Sequence, residues 1–278
     1  MRFLDVKTDY AFKKVFGSKE SKPLLISFLN ALLEFDGENI VDLTIVDPYQ
    51  IPMLKGMKDT FVDVKAKLSN DTLVIIEMQV LNVEGFEKRV LYNAAKSYSE
   101  QLVKGEKYNL LNPVIALTLT DFKMFPESKS KSAINYFKLL EKESFIEYSD
   151  DIELVFIELP KFLKKEDELE TVTDKWLYFI KNAGRLDYVP ETLSSDEQIN
   201  KAFDIANEAG LSAEELEIQH KHHDFILLQQ GSIELAEKKT KLEIAENLLQ
   251  AGVAAEIVAQ STELSLKQII KLNQNING

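Results

Sequence analysis

The chain has 278 residues, 45% hydrophobic and 28% charged, with no cysteine. That is material for one sizeable core and an appendage; it contains no apolar run near the ~20 residues that cross a bilayer, and no thiol for disulfides, thiolate metal sites or a cysteine nucleophile. The formal charge of −13 excludes a uniformly basic nucleic-acid binder, yet residues 1–110 hold 15 Lys and Arg against 16 Asp and Glu, so the acidity lies in the remaining 18 against 30.

The opening stretch, Met-Arg-Phe-Leu-Asp-Val-Lys-Thr-Asp-Tyr, has acids where an export signal needs its apolar core, which predicts a cytoplasmic protein without membrane association. Asp5 or Thr8 is suited to cap a helix over Asp9–Phe16, closed by Gly17. A second helix follows Ser21-Lys22-Pro23, because proline suits a first turn. Residues 40–46 read as a strand ended by Asp47-Pro48, and residues 48–59 as a loop. In residues 61–68, Val62, Val64, Ala66 and Leu68 alternate with Phe61, Asp63, Lys65 and Lys67. In residues 73–80, Leu73, Ile75, Glu77 and Gln79 share one face. Ser69-Asn70-Asp71 supplies the turn between them, so the two segments form an antiparallel hairpin.

After Gly85 a helix is predicted from Phe86 to about Val103, ending at Gly105. Residues 114–122 and 151–159 read as strands, with a further candidate at 134–140 inside the polar stretch 128–150. Helical patterns then cover 175–182, 195–209, 213–229 and 232–250, followed by two short pieces. These elements predict an α/β protein: a core over residues 1–165 with mixed strand directions, since its middle strands form a hairpin, and an all-helical region over 166–278.

Asp63, Glu77 and Gln79 sit inside apolar strands, where a carboxylate is costly unless compensated. Across an antiparallel hairpin, Asp63 shares a face with Glu77 only if the numbers of opposed residues add to an even sum. One such register sets Asp63 opposite Glu77 and Lys67 opposite Leu73; the next sets Asp63 opposite Gln79. Two carboxylates in one cleft repel unless a cation separates them. Hard oxygen donors without Cys or His favour Mg²⁺, which activates water and neutralises charge on a phosphate, with Gln79 orienting the water. The competing explanation is a pair of strand-end carboxylates salt-bridged to Lys65 or Lys67. A local basic surface, from Lys55, Lys58, Lys65 and Lys67 around Asp63 with Lys13 and Lys14 upstream, would favour DNA.

The run Phe61–Val80, preceded by D-x-x-F-K-x-x-F (Asp9 to Phe16) and followed by FEKRVLYNAAKSYSEQLVKGEKY, resembles the Rpn family of recombination-promoting nucleases and transposases, within the PD-(D/E)XK nuclease superfamily. The likeness continues through LNPVIALTLTDFKMF and IELVFIELPKF, covering about the first 160 residues well. It implies a restriction-endonuclease-like core, a central mixed sheet flanked by helices, and Mg²⁺-dependent cleavage of DNA phosphodiesters, with Mn²⁺ able to substitute. By the same resemblance Asp63 and Glu77 are the metal ligands, Asp9 an additional acid, and Gln79 a catalytic residue standing where most members carry Lys. On the following helix, Arg89 is a candidate phosphate contact and Tyr92 a hydrogen-bonding group, with Lys96 on the same face at i, i+3, i+7.

His220, His222 and His223 are the only histidines, and no two have the i, i+4 spacing of a helical metal site, so a solvated polar stretch is expected. The tail resembles the family's helix-turn-helix-like ending, but its last helix offers only Lys267 and Lys271, so homo-oligomerisation explains its apolar spacing better than DNA reading. Two functions follow: a metal-dependent DNA endonuclease linked to recombination, transposition or mobile-element defence, or a weak or inactive nuclease-fold protein that acts as an interaction module.

Overall fold

The computed structural model describes residues 2–35, 39–50 and 60–277. Lys55 and Lys58, two members of the expected basic surface, lie outside the described residues. The chain divides into two compact units, Met1–His222 and His223–Gly278.

Thr8 caps α1 (Asp9–Phe16) by accepting the Ala11 N–H, while Asp5 turns to the Lys7 N–H instead. Helix α2 (Lys22–Leu32) starts at Lys22-Pro23 as proline chemistry predicts. Strand β1 (Leu43–Val46) is shorter than the segment read from the sequence, and β2 (Tyr49–Gln50) pairs with β3 (Thr60–Phe61) in a small ribbon the pattern did not reveal. Strands β4 (Val64–Leu68) and β5 (Leu73–Gln79) form the hairpin. Its turn is closed by Asp71 N–H to the Leu68 carbonyl and Leu68 N–H to the Thr72 carbonyl, and Asn70 accepts the Thr72 N–H. Asp71 takes φ 67°, the left-handed conformation that Asp tolerates better than most residues.

Gly85, at φ 78°, opens α3 (Phe86–Ser99). That helix ends before the expected Val103 because Gln101 turns aside, exchanging two hydrogen bonds with the Asn112 backbone. Strands β6 (Val114–Thr120), β7 (Ile134–Leu140) and β8 (Glu147–Glu158) complete a six-stranded sheet of order β1-β4-β5-β6-β8-β7. Strands β5, β6 and β8 run parallel, and the outer pairs are antiparallel. The predicted mixed sheet is therefore present. Every residue of β6 is buried, as a strand covered on both faces requires.

One sheet face carries Val74, Ile76, Met78, Leu117, Leu119 and Ile157 into the main core; the other sends Ile75, Val114, Ala116 and Phe156 against α3. Helices α4 (Val172–Asn182), α5 (Glu191–Ser194) and α6 (Glu197–Ala206) follow. Trp176 of α4 meets Phe16 and Phe28 at ring-centroid distances of 5.6 Å, and Phe179 meets Phe203 of α6 at 4.7 Å. Burying each such ring stabilises by about 1.5–3 kcal/mol, which ties these helices to the sheet. The first compact unit continues to His222 and so includes α4, α5 and α6.

Two segments read as separate helices, 213–229 and 232–250, are one helix, α7 (Ala213–Gln250). Within the first unit its opening turns lie along α1: Thr8 bonds Gln219 at 3.1 Å, and Glu215 takes Tyr10 at 2.8 Å and Lys14 at 2.6 Å. The second unit closes its own small core where Ala245 meets Val258 of α8 (Ala255–Thr262) and Ile269 of α9 (Leu266–Asn277). Among the described residues no helix is long and apolar enough to cross a membrane.

Candidate active site

The observed register opposes Val64 with Ile76 and Lys67 with Leu73, so opposed numbers share an even sum, the first of the two registers compatible with a site. By that count Asp63 stands across from Glu77. The chain bends at Asp63, however. Val62 leaves the face of Val64 and Ala66 and joins the cluster of Ile75 and Phe86, correcting the simple alternation. At the bend, Asp63 N–H still donates to the Ile76 carbonyl at 3.0 Å, while Asp63 Oδ2 accepts the Met78 N–H at 2.7 Å. The carboxylate thus continues the ladder where the strand has stopped, and it sits beside the backbone between Glu77 and Gln79.

Helix α1 supplies the rest of the Asp63 environment. Lys13 Nζ lies 3.5 Å from Asp63 Oδ1 and 2.6 Å from Asp9 Oδ1. Asp63 and Asp9 also act on one another, the Asp9 carboxylate favouring the protonated form of Asp63. Burial first, then the Asp9 partner, push the Asp63 carboxyl up to about 8, against the pull of the Met78 N–H. Burial also acts to raise Asp9, but its contacts with Asp63 and Lys13, and the nearby His222, outweigh it and hold Asp9 below its ordinary value. Of the two acids, Asp63 is the one pushed toward its protonated form. Asp9 stands in the first turn of α1, where the helix end favours a negative charge.

Glu77 and Gln79 are held from the other side, by α3. Arg89 Nη2 lies 2.6 Å from Glu77 Oε1 and 2.6 Å from Gln79 Oε1. Its guanidinium rests over the Phe86 ring at 5.3 Å, and Gln79 Nε2 donates to the Leu81 carbonyl at 2.6 Å. Burial raises the Glu77 carboxyl, and the Arg89 charge opposes that rise without cancelling it. The anticipated edge salt bridges do not form: Lys67 pairs with Asp71, and Lys65 is a half-buried amine lowered by burial.

The structure thus brings Asp63 together with Asp9 and Lys13, and Glu77 together with Gln79 and Arg89, with Met78 between the two groups. Among the described residues no three His, Asp or Glu side chains gather closely enough to cage a metal ion. Tyr92 is exposed on α3, and none of the hydrogen bonds of Glu77, Gln79 or Arg89 goes to it. Lys96, expected beside Arg89, is buried and pairs with Glu100 at 3.7 Å. His220 and His222 are exposed and belong to no metal group. Sequence reasoning passed over Asn93, which faces Glu77 from α3; its i, i+4 spacing from Arg89 was the available signal.

A divalent cation fits this donor set. Every candidate ligand is a carboxylate oxygen, two of the acids are enclosed and raised, and each is met by a protein cation, Lys13 or Arg89, where a hard ion would otherwise serve. Two carboxylates suffice for an ion that keeps several waters and binds phosphate oxygens.

A mixed six-stranded sheet flanked by helices is consistent with a PD-(D/E)XK nuclease fold. The chain belongs to the PD-(D/E)XK nuclease family transposases, whose family model matches residues 6–236. Membership implies a nuclease-related function, DNA as the substrate class and a divalent metal as the class of cofactor. No curated protein and no solved structure matches the chain.

Proposed function

We propose that the protein is a Mg²⁺-dependent DNA endonuclease, with Mn²⁺ as a substitute, acting in recombination, transposition or defence against mobile elements in the cytoplasm. The observation that carries this reading is the pair of enclosed acids on one hairpin, Asp63 and Glu77, whose side chains are 12% and 14% exposed. Stability alone favours apolar residues at such positions.

Asp63 and Glu77 would hold the cation, with Asp9 as an additional acid. When bound, the cation supplies an acidified water and neutralises charge on the phosphate. The protein's own groups do the rest. Lys13 leaves Asp63 for Asp9 or for solvent, and the proton on Asp63 is released. Gln79 holds the attacking water through its amide; unlike the Lys of most superfamily members, it brings dipole but no charge. Arg89, already beside Gln79, supplies that charge and takes the scissile phosphate through its planar fork. Tyr92, three residues further along α3 and exposed, lines the approach of the DNA strand.

Purified protein should nick supercoiled plasmid with Mg²⁺ and not with EDTA, and Asp63→Ala or Glu77→Ala should abolish nicking while leaving the far-ultraviolet circular dichroism intact. Nicking that survives both substitutions would sink the proposal. One observation favours the inactive interaction module: both ends of the Gln79 amide are occupied, by Arg89 and by the Leu81 carbonyl. Under that reading wild-type protein binds no Mn²⁺. Homo-oligomerisation through the C-terminal helices is a further part of the proposal, supported by exposed Phe225 and Leu228 on α7; light scattering on the eluting protein tests it, and a monomer mass would refute it.

A further inference from the structure

Asn93 follows Arg89 by one turn of α3 and is almost wholly enclosed, at 1% exposure. Neither its Oδ1 nor its Nδ2 has a hydrogen-bond partner. An enclosed amide without partners weakens a fold, and a leucine of similar volume would fill the same space without that cost. The side chain is not aimed at random. It lies one turn along the buried face of α3 from Arg89, which bonds Glu77, and its amide favours the ionised Glu77 carboxylate although no hydrogen bond of full geometry joins the two. Glu77 Oε1 is instead drawn to Arg89 Nη2 at 2.6 Å.

Arg89 is the more exposed of the two candidate partners. Its side chain is 36% exposed and stands over the Phe86 ring at 5.3 Å. A guanidinium so placed can turn its outer end to an incoming anion. Asn93, by contrast, is fixed in the helix interior between Val90 and Ala94, both buried. One partner can leave and the other cannot.

We propose that Asn93 is a positioning residue for Glu77: when Arg89 turns to a DNA phosphate, Asn93 Nδ2 takes the released carboxylate oxygen and aims Glu77 at the divalent cation. The inference rests on the reading of Glu77 as a metal ligand. Ligating carboxylates are commonly oriented by such outer donors, and losing one lowers metal affinity about 10- to 100-fold.

The test is calorimetric titration of Mn²⁺ into wild-type protein and the Asn93→Leu, Asn93→Ala and Glu77→Ala variants, with the thermal midpoint of each in EDTA. Asn93→Leu should keep or raise the midpoint while Mn²⁺ affinity falls about 10- to 100-fold. Asn93→Ala should lose the same affinity, and serves if the leucine variant does not fold. The loss should persist in Arg89→Ala protein, where Asn93 is the remaining donor to Glu77. A purely structural role predicts a lower midpoint with Mn²⁺ binding unchanged, and that result overturns the inference. If Glu77→Ala loses Mn²⁺ and the Asn93 variants do not, this inference alone falls; if Glu77→Ala binds as wild type does, the metal reading falls and takes this one with it.

Discussion

Replacing Asp63 by Asn should stabilise the metal-free protein in alkaline solution. In the wild type the carboxyl is pushed from 3.8 to about 8, by burial and by the Asp9 partner. Folding therefore raises proton affinity, so the folded state binds more protons than the unfolded one between those values. The stability that this proton confers is fully present below pH ~4 and is lost as pH rises through about 8. Each pKa unit is worth about 1.4 kcal/mol, so the shift from 3.8 to about 8 sets a ceiling of about 6 kcal/mol at pH 9. Asp9, lowered in the folded state, offsets part of this ceiling. Asparagine keeps an oxygen for the Met78 N–H and removes the negative charge that burial and Asp9 oppose. Thermal unfolding in EDTA should place Asp63→Asn about 5 °C or more above wild type at pH 9, and close to it at pH 5. Equal midpoints at both pH values, or a less stable variant at pH 9, would refute the raised proton affinity of Asp63.

Arg89→Ala should slow nicking about 100- to 1000-fold, as removal of a single charge-stabilising donor does elsewhere. Arg89→Lys should recover only part of it, because an ammonium cannot bridge Glu77 and Gln79 as a fork does; equal rates for Lys and Arg would contradict that role. Glu77→Gln should abolish nicking yet change chemical-denaturation stability by less than about 1 kcal/mol, since a partly exposed Arg89 is the charge it releases. Glu158 and Lys161 form a fully enclosed pair, 0% and 2% exposed, and Glu158 also accepts the Met124 and Phe125 N–H groups. Glu158→Ala should therefore cost about 3–5 kcal/mol in urea unfolding, and a smaller loss would mean that water reaches the vacated site.

The parts of the fold that could be read from sequence were those where one local pattern decides. The hairpin follows from two runs joined at Ser69-Asn70-Asp71, and an even sum keeps Val64, Ala66, Val74 and Ile76 on one buried face, while the choice between the two even registers came only with the structure. Thr8 and the Lys22-Pro23 pair announced their helices by chemistry confined to one turn. What stayed hidden depends on partners far along the chain. The bend at Asp63 arises because Met78, fifteen residues away, offers an N–H. The polar start of β8, Glu147 to Asp151, lacks alternation because it pairs with β7 in a largely exposed arm. Gly231 reads as a break, but a helical glycine costs only about 1 kcal/mol, and α7 runs through it. In the site, residue types identified Asp63, Glu77, Gln79 and Arg89, whereas the contact of Lys13 with both Asp9 and Asp63 and the enclosure of Asn93 depend on how α1 and α3 dock on the sheet.

The central claim is that Asp63 and Glu77 belong to one ion although this conformation anchors them to different helices. Crystals grown with Mn²⁺ and a short DNA duplex, measured at a wavelength where manganese scatters anomalously, test it most directly. A single strong anomalous peak is expected in contact with carboxylate oxygens of both residues, with Lys13 withdrawn from Asp63 and Arg89 turned to a phosphate. A peak bound by only one of the two acids, or DNA seated there with Lys13 and Arg89 unmoved and no peak at all, would contradict it.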